Sequence, residues 1–265
     1  ALDERSVGAL VAAASELCAD DELRWASIEA LHAWAMGMTP SDPPPAAVAR
    51  ALRCGALGGA LRRWIGAVLR VAHVAPRHID ACAEIAVALL DGFPRADATG
   101  DEAQRFALVF TNAVSVELRV LLDGAEQLHE RRRAAASTVA SRVVSAVDSV
   151  EWRVKNVAPT YFRALELVLL SLCASDEYEG GGVEPWSGLD AATLLALRKH
   201  LVAVFHRIVD FCCDVRIDSS GGARSCTAGE ELANTVASSR TVLSLWTSAN
   251  SDAGTAAMHP RLYLL

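Results

Sequence analysis

Apolar residues recur along this 265-residue chain at the spacing of α-helices rather than of β-strands. Alanine, leucine and valine fill runs in which apolar positions lie three and four residues apart, and short groups of proline, glycine and aspartate separate these runs. Such spacing places the apolar side chains on one face of a helix, whereas a half-buried strand requires alternation of apolar and polar residues. No window shows sustained alternation, so the sequence predicts an all-α fold.

Two of the predicted helices are apolar over most of their circumference. One follows Thr99 and carries Phe106, Val114 and Leu122, and the other runs from Thr160 to Cys173. A helix without a wide polar face is stable in water only when other elements cover it on most sides. We therefore expect these two helices at the centre of the hydrophobic core.

Proline and glycine predict where other helices begin and end. One helix is expected to stop at Gly37, and Pro76 is expected to open another, because the first turn of a helix does not need the N–H that proline lacks. Polar stretches that contain glycine, near 175–188 and 214–228, are predicted to be flexible loops. Between them, a helix is expected from Leu189 to about Phe211.

About eight to ten helices of roughly 12 to 25 residues, joined by short turns, are predicted in this way. In this succession of helices and short turns, the chain resembles the helical repeats of HEAT and armadillo proteins. The resemblance implies stacked antiparallel helices in an α-solenoid, a fold that offers an extended surface to other proteins. An irregular helical bundle with a single core is the alternative, and it stays open because the prolines, at 40–45, 76, 94, 159 and 185, follow no steady period.

Composition excludes several classes of protein. With 52% hydrophobic and 22% charged residues, the chain is predicted to be globular rather than disordered. Its longest apolar runs, of about ten residues, are shorter than the roughly 20 that a membrane-spanning helix requires, so no membrane span is predicted. A net charge of −7 argues against nucleic acid as the main ligand, because binding to phosphates calls for a clustered basic excess.

Cysteine usage and the ends of the chain bear on its cellular context. The seven cysteines are odd in number and fall mostly in apolar helical patterns, which favours reduced thiols and an intracellular, cytoplasmic protein. We expect residues 1–265 to form a single all-helical domain. The apolar ending from Leu262 to Leu265 favours a fragment of a longer polypeptide, since free termini are usually polar.

Two clusters of arginine are the first candidates for a binding surface. One lies in the segment from Arg50 to Arg70 and the other at 131–133. Guanidinium forks bind carboxylates and phosphates in a bidentate manner, so each cluster could bind an acidic protein partner or a lipid headgroup. A solvated helix face is the plainer interpretation. Trp186, beside Pro185 in a glycine-rich stretch, is the tryptophan best suited to an exposed contact. The predicted partner-binding residues are Arg53, Arg62, Arg63, Arg131, Arg132, Arg133 and Trp186.

One group of residues offers an alternative with metal chemistry. His206 and Asp210 are four residues apart and would share one helix face, with Cys212 and Cys213 close by. Histidine and thiolate ligands suit a tetrahedral zinc ion. Adjacent cysteines, however, point about 100° apart on a helix, and the chain has no C-x-x-C pair. A core helix with buried thiols is therefore favoured over a metal site.

No motif in the chain predicts an enzyme. His78 and Cys82 have the spacing of a pair on one helix face, but a cysteine nucleophile also needs a third, orienting group that the sequence does not supply. The three glycines at 180–182 lack the spacing of a phosphate-binding loop. We therefore expect no catalytic residues and no cofactor. The expected function is a non-enzymatic scaffold for protein–protein interaction or a structural subunit of a larger assembly, with an enzyme or metal-binding protein that uses the region from His206 to Cys213 as the alternative.

Overall fold

Helices make up almost all of the chain that the structure describes. The structure is a computed structural model, and it describes residues 4–16, 21–37, 48, 56–70, 75–92, 101–137, 147–173 and 189–219. No residue of these ranges lies in a strand, so the all-α prediction is confirmed for them. The helices with described bounds are α1 (Glu4–Glu16), α2 (Asp21–Met36), α3 (Ala56–Val68), α4 (Pro76–Gly92), α5 (Asp101–Ser137), α6 (Val147–Asn156), α7 (Ala158–Cys173) and α8 (Ala191–Ser219).

The first helix boundaries follow local signals in the sequence. Helix α2 ends at Met36, and the N–H of Gly37 donates to the carbonyl of Ala33 at 3.1 Å. Helix α4 begins at Pro76, and the carbonyl of Ala75 accepts a hydrogen bond from the first turn at 2.9 Å. Both boundaries are confirmed, because each depends on one residue whose backbone chemistry is local.

Helix α8 begins and ends later than predicted. Asp190 caps its N-terminus, since the N–H of Thr193 donates to Oδ1 of Asp190 at 2.7 Å, and this bond lowers the pKa of the Asp190 carboxyl group. The helix then continues to Ser219. The expectation of a loop across 214–228 is wrong for residues 214–219, because no glycine or proline interrupts the helix before Gly221. The other predicted loop, near 175–188, lies outside the described residues.

Residue contacts divide the chain into two units. Unit 1 comprises Ala1–Ala113 and Leu170–Leu197, and unit 2 comprises Val114–Leu169 and Arg198–Leu265. In unit 1, α1 packs against α2 and α3, and α4 packs against the same two helices. Apolar side chains from all four helices are buried: Val7, Val11, Ile28, Leu31, Leu61, Ile65, Ala83 and Ile85.

The two helices predicted to be central are largely buried. In α7, Tyr161, Leu165 and Leu169 are buried. In α5, the row of apolar residues from Phe106 to Leu122 is buried on one side of the helix, whereas Val116 and Val120 on another side are 45% and 50% exposed. None of the described helices, including α5 with its 37 residues, has the length and hydrophobicity to cross a membrane.

In unit 2, α5 and α6 approach each other closely at Gly124. A methyl group on Gly124 would lie 2.7 Å from Cγ1 of Val150, which is less than any normal contact between carbon atoms. One end of the same pair of helices is joined by an ion pair, in which Nη2 of Arg153 lies 2.7 Å from Oε2 of Glu117. Glycine at position 124 is therefore required for the observed distance between the two helices.

Substitution of two helical glycines by alanine tests this close approach. Gly8→Ala in α1 should raise the free energy of unfolding by about 0.5 to 1 kcal/mol, since alanine is the better helix former and nothing lies within 4 Å of the added methyl group. The free energy of unfolding of the Gly124→Ala variant should be about 1 to 3 kcal/mol lower than that of the Gly8→Ala variant, because the stiff side chain of Val150 has to move. Urea unfolding measures both, and equal stabilisation would contradict a tight crossing.

Burial in α7 is tested by placing a charge in it. Leu169 is 3% exposed, and Leu169→Asp should unfold or aggregate the protein, since burying an unpaired carboxylate costs several kcal/mol. Leu195, which is 66% exposed in α8, provides the matched control, and Leu195→Asp should leave the melting temperature nearly unchanged. Circular dichroism melts and size-exclusion chromatography measure both variants. A folded, monodisperse Leu169→Asp protein would place the core elsewhere.

Candidate functional site

A cleft of about 360 Å³ opens in unit 1 between α3 and the N-terminal part of α5. Its described lining consists of Arg62, Arg63, Gly66, Arg70, Arg105, Phe106 and Val109. We call it the arginine cleft, because four of these seven residues are arginine and none of the seven is acidic. Its volume lies in the range of clefts that bind small molecules or single side chains, which is about 300 to 1,000 Å³.

The order of residues in α3 creates the cleft. Arg62 and Gly66 lie one turn apart on α3, and Arg70 lies in the turn that follows the helix, four residues after Gly66. Gly66 has no side chain, and a methyl group there would lie 3.9 Å from Cδ2 of Phe106. This contact between α3 and α5 forms the floor of the cleft, and Arg62 lies one turn away from it on α3. The other face of α3 is anchored in the core by Leu61, Trp64, Ile65 and Val68.

Aromatic packing holds the floor of the cleft in place. The ring of Phe106 stacks on the ring of Phe110, with centroids 5.5 Å apart and an angle of 7° between the planes. Both rings are buried, whereas Val109 between them in the sequence is half-buried at the cleft. The α5 wall therefore presents a fixed apolar surface next to the arginines.

The arginines give this region a positive charge within an acidic chain. Residues 43–79 contain six arginines and no aspartate or glutamate, although the whole chain has a net charge of −7. Arg63, Arg70 and Arg105 are exposed and Arg62 is half-buried. Nε of Arg70 donates to the carbonyl of Gly66 at 3.0 Å, which orients its guanidinium group beside the cleft. A guanidinium group stays charged at any pH at which proteins are folded, so the lining of the cleft carries positive charge.

Two of the predicted partner-binding residues, Arg62 and Arg63, line the cleft. Their role in binding stays a prediction. Arg105, Phe106 and Val109 were not predicted as site residues, because nothing in their local spacing shows that they face α3. The absence of acidic residues across 43–79 is the signal that marks the α3 side most clearly.

Of the remaining predicted partner-binding residues, the structure describes only the side chain of Arg131. It is exposed on α5 and is not part of the described lining of the cleft. The side chains of Arg132 and Arg133 lie outside the described residues, as do the whole of Arg53 and Trp186. Their proposed role in binding stays a prediction.

The residues of the alternative metal site are not arranged as ligands in the described part of the chain. Cys212 and Cys213 are 2% and 8% exposed, whereas His206 is exposed at the surface of α8. Among the described residues, no group of three or more His, Cys, Asp and Glu side chains is placed to hold a metal ion. The two thiols are part of the apolar core of unit 2.

His78 and Cys82 are also buried rather than open to a substrate. The ring of His78 stacks on Trp25 of α2, with centroids 3.9 Å apart and planes 5° apart. Nε2 of His78 accepts a hydrogen bond from Nε of Arg77 at 3.2 Å, while its buried Nδ1 has no hydrogen-bond partner among the described residues. Burial, and then the charge of Arg77, lowers the pKa of His78, whereas Glu29 acts weakly in the opposite direction. The ring is therefore neutral in the folded protein near pH 7.

This histidine should make the stability of unit 1 depend on pH. The pKa of His78 is lowered from an ordinary value of 6.5, so the unfolded state binds more protons as the pH falls below 6.5 and stability is lost there. His78→Phe keeps a ring against Trp25 but cannot titrate. Its melting temperature should fall less than that of the wild type between pH 7.5 and pH 5, while the surface variant His206→Gln should follow the wild type. Identical pH profiles for all three proteins would show that His78 is not held neutral.

Comparisons with known proteins supply no relative for this chain. No family model, no curated protein and no solved structure matches it. The chemistry of the arginine cleft is therefore the basis on which a function can be proposed.

Proposed function

We propose that this chain is a non-enzymatic helical scaffold that binds an acidic segment of a partner protein in the arginine cleft. The observation that carries the proposal is the convergence of four arginines, from α3, the turn that follows it and α5, on one cleft. Arginine binds carboxylates through two parallel N–H···O bonds, which gives both strength and geometric specificity. Charges at the rim of such a site also steer a partner of opposite charge into contact.

The charge of the whole chain favours a short acidic segment over a long polyanion. The net charge is −7, although residues 43–79 contain arginines and no acidic residue. Charges act over about 8 Å at physiological ionic strength, so an anionic segment that fits the cleft interacts mainly with the arginines. A nucleic acid would extend past them onto a chain with an acidic excess, and it would gain little from a small patch. A protein partner with a local cluster of carboxylates fits this distribution of charge best.

The packing in unit 1 supports a stacked scaffold. Helix α1 contacts α2 and α3, and helix α4 contacts the same two helices. These contacts are compatible with two stacked helix pairs, as in an α-solenoid, and also with a helical bundle that has a crossover connection. We propose that the stacked pairs present α3 and its arginines as a binding surface.

Buried thiols support a reducing environment for this function. Cys82, Cys212 and Cys213 are buried and form no disulfide bond. Proteins of reducing compartments keep such thiols, and we propose a cytoplasmic location on this basis. The alternative enzymatic or metal-binding function gains no support from the described residues, since the thiols it needs lie in the core.

Charge reversal at the cleft tests the proposed function. The double variant Arg62→Glu and Arg63→Glu should bind a labelled deca-glutamate peptide at least about tenfold more weakly than the wild type, because two attractive contacts become repulsive. Wild-type binding should weaken as salt increases, since exposed charges are screened. Fluorescence anisotropy at low and high salt measures binding, and thermal melts should show a change of no more than about 1 kcal/mol.

A second double variant separates the cleft from net charge. Arg119 and Arg198 are exposed and do not line the described cleft. Arg119→Glu with Arg198→Glu changes the net charge by the same amount and should leave peptide binding within about twofold of the wild type. The proposal is wrong if the cleft variant binds as well as the wild type, or if both double variants lose binding equally.

A further inference from the structure

Two histidines connect α2 with α4 in unit 1. The ring of His78 in α4 stacks on Trp25 near the start of α2. Further along, Nε2 of His32 in α2 donates a hydrogen bond to Oε2 of Glu84 in α4. The second contact lies seven residues after the first on α2 and six residues after it on α4, so the two helices run parallel. A rise of about 1.5 Å per residue places the two contacts about 10 Å apart along the helices.

The contact at His78 requires a neutral imidazole ring. Nε2 of His78 accepts a hydrogen bond from Nε of Arg77 at 3.2 Å. Because a guanidinium group only donates, Nε2 has to keep its lone pair for this bond. A proton on Nε2 would break the bond and place two cations side by side, at a histidine that is only 4% exposed. Protonation is therefore incompatible with the ring in its present position.

The groups around His78 give the same direction. Burial and the charge of Arg77 lower the pKa of His78, and Glu29, which acts on it from α2, raises that pKa by less. The other titratable groups nearby on α4, Asp80 and Cys82, are buried and are not among the causes of the shift. No described charged group of α3, which also packs against α4, is among them either.

The contact at His32 responds to a proton in the opposite way. The carboxylate of Glu84 accepts a hydrogen bond from a neutral or a protonated imidazole, and the bond from the charged ring is the stronger of the two. The side chains of His32 and Glu84 are 31% and 19% exposed, so solvent screens the pair only in part. Acidification through the range in which imidazoles titrate therefore preserves this contact.

We propose that the α2–α4 joint is a pH-sensitive switch, which the stack of His78 on Trp25 closes and the contact between His32 and Glu84 hinges. Protonation of His78 releases the ring from Trp25 and Arg77, and the first turns of α2 and α4 separate. The second contact holds the helices together about 10 Å further on. The opening is thus confined to the start of the two helices, and it needs no ligand in the arginine cleft.

The protonation of His78 sets the size of the response. At a pH below 6.5, the ordinary pKa of histidine, the ring binds a proton in the open state and none in the closed state. Each further unit of pH should then raise the ratio of open to closed molecules by up to about tenfold. At a pH above 6.5 the ratio should stay constant.

Fluorine NMR of the chain labelled with 5-fluorotryptophan follows the stacked ring between pH 7.5 and pH 5. The signal of Trp25, assigned by its loss in Trp25→Phe, should shift or broaden below pH 6.5 in the wild type. The signal of Trp152, which is 59% exposed in α6, should stay constant. His78→Phe keeps a ring against Trp25 but cannot be protonated, so it should hold the Trp25 signal constant as well.

Hydrogen exchange measured by mass spectrometry, corrected for the intrinsic effect of pH, locates the opening. Between pH 6.5 and pH 5.5 the amides of residues 25–28 should lose up to about tenfold of their protection in the wild type, while those of 33–36 keep theirs. In His32→Gln, which lacks the hinge, both groups of amides should lose protection together. Arg77→Gln, at an exposed position, removes the neighbouring cation and should reduce the loss, so it replaces His78→Phe if that variant does not fold.

Each result decides for or against the switch. Loss of protection confined to the start of α2, and absent in His78→Phe, supports it. A Trp25 signal that titrates while protection stays unchanged would overturn it, because the ring would then be protonated without opening. Equal loss along the whole of α2 in the wild type would also overturn it, since unit 1 would then unfold as one body. A Trp25 signal and protection that are both independent of pH would do the same.

Discussion

Burial of apolar helix faces against one another is the interaction on which the rest of this structure depends. Helices α1 and α3 have 13 residues each, a length at which an isolated helix is only marginally stable in water. Side chains such as Leu61 and Ile65 are completely buried in unit 1, and each contributes about 1.5 to 3 kcal/mol by leaving water. The same burial turns the opposite face of α3 outward. The side chain of Arg70 is held in addition by its hydrogen bond to the carbonyl of Gly66.

The arginines of this chain have two different roles in the fold. Arg207 on α8 binds two carboxylates of α5, with Nε 2.7 Å from Oδ1 of Asp123 and Nη2 2.7 Å from Oε2 of Glu126. Its charge is thus compensated within unit 2, and its role is structural. In the arginine cleft, four arginines lie close together, and none of the described residues that line it is acidic. This clustering is the reason for which we propose a binding function there.

Gly66 and Gly124 both lie where α5 approaches another helix. At Gly124 the missing side chain allows α6 to approach α5, and Val150 occupies the space. At Gly66 an added methyl group would lie 3.9 Å from Cδ2 of Phe106, which is an ordinary van der Waals distance, so this position is less crowded than Gly124. Helical glycines are unfavourable by about 1 kcal/mol relative to alanine. Close packing of two helices accounts for glycine at position 124, whereas the contact at Gly66 would accept a methyl group.

Local patterns in the chain were sufficient to predict its helices, the boundaries at Gly37 and Pro76, and the arginines of α3. Helix formation and capping depend on residues within one or two turns, so they can be recognised without knowledge of the fold. The partners of α3 could not be recognised in this way. Arg105 and Phe106 lie about 40 residues further along the chain, and their place in the cleft depends on how α5 packs. Helical periodicity shows which face of a helix is buried, but it carries no information on which other helix covers that face or on what remains open beside it.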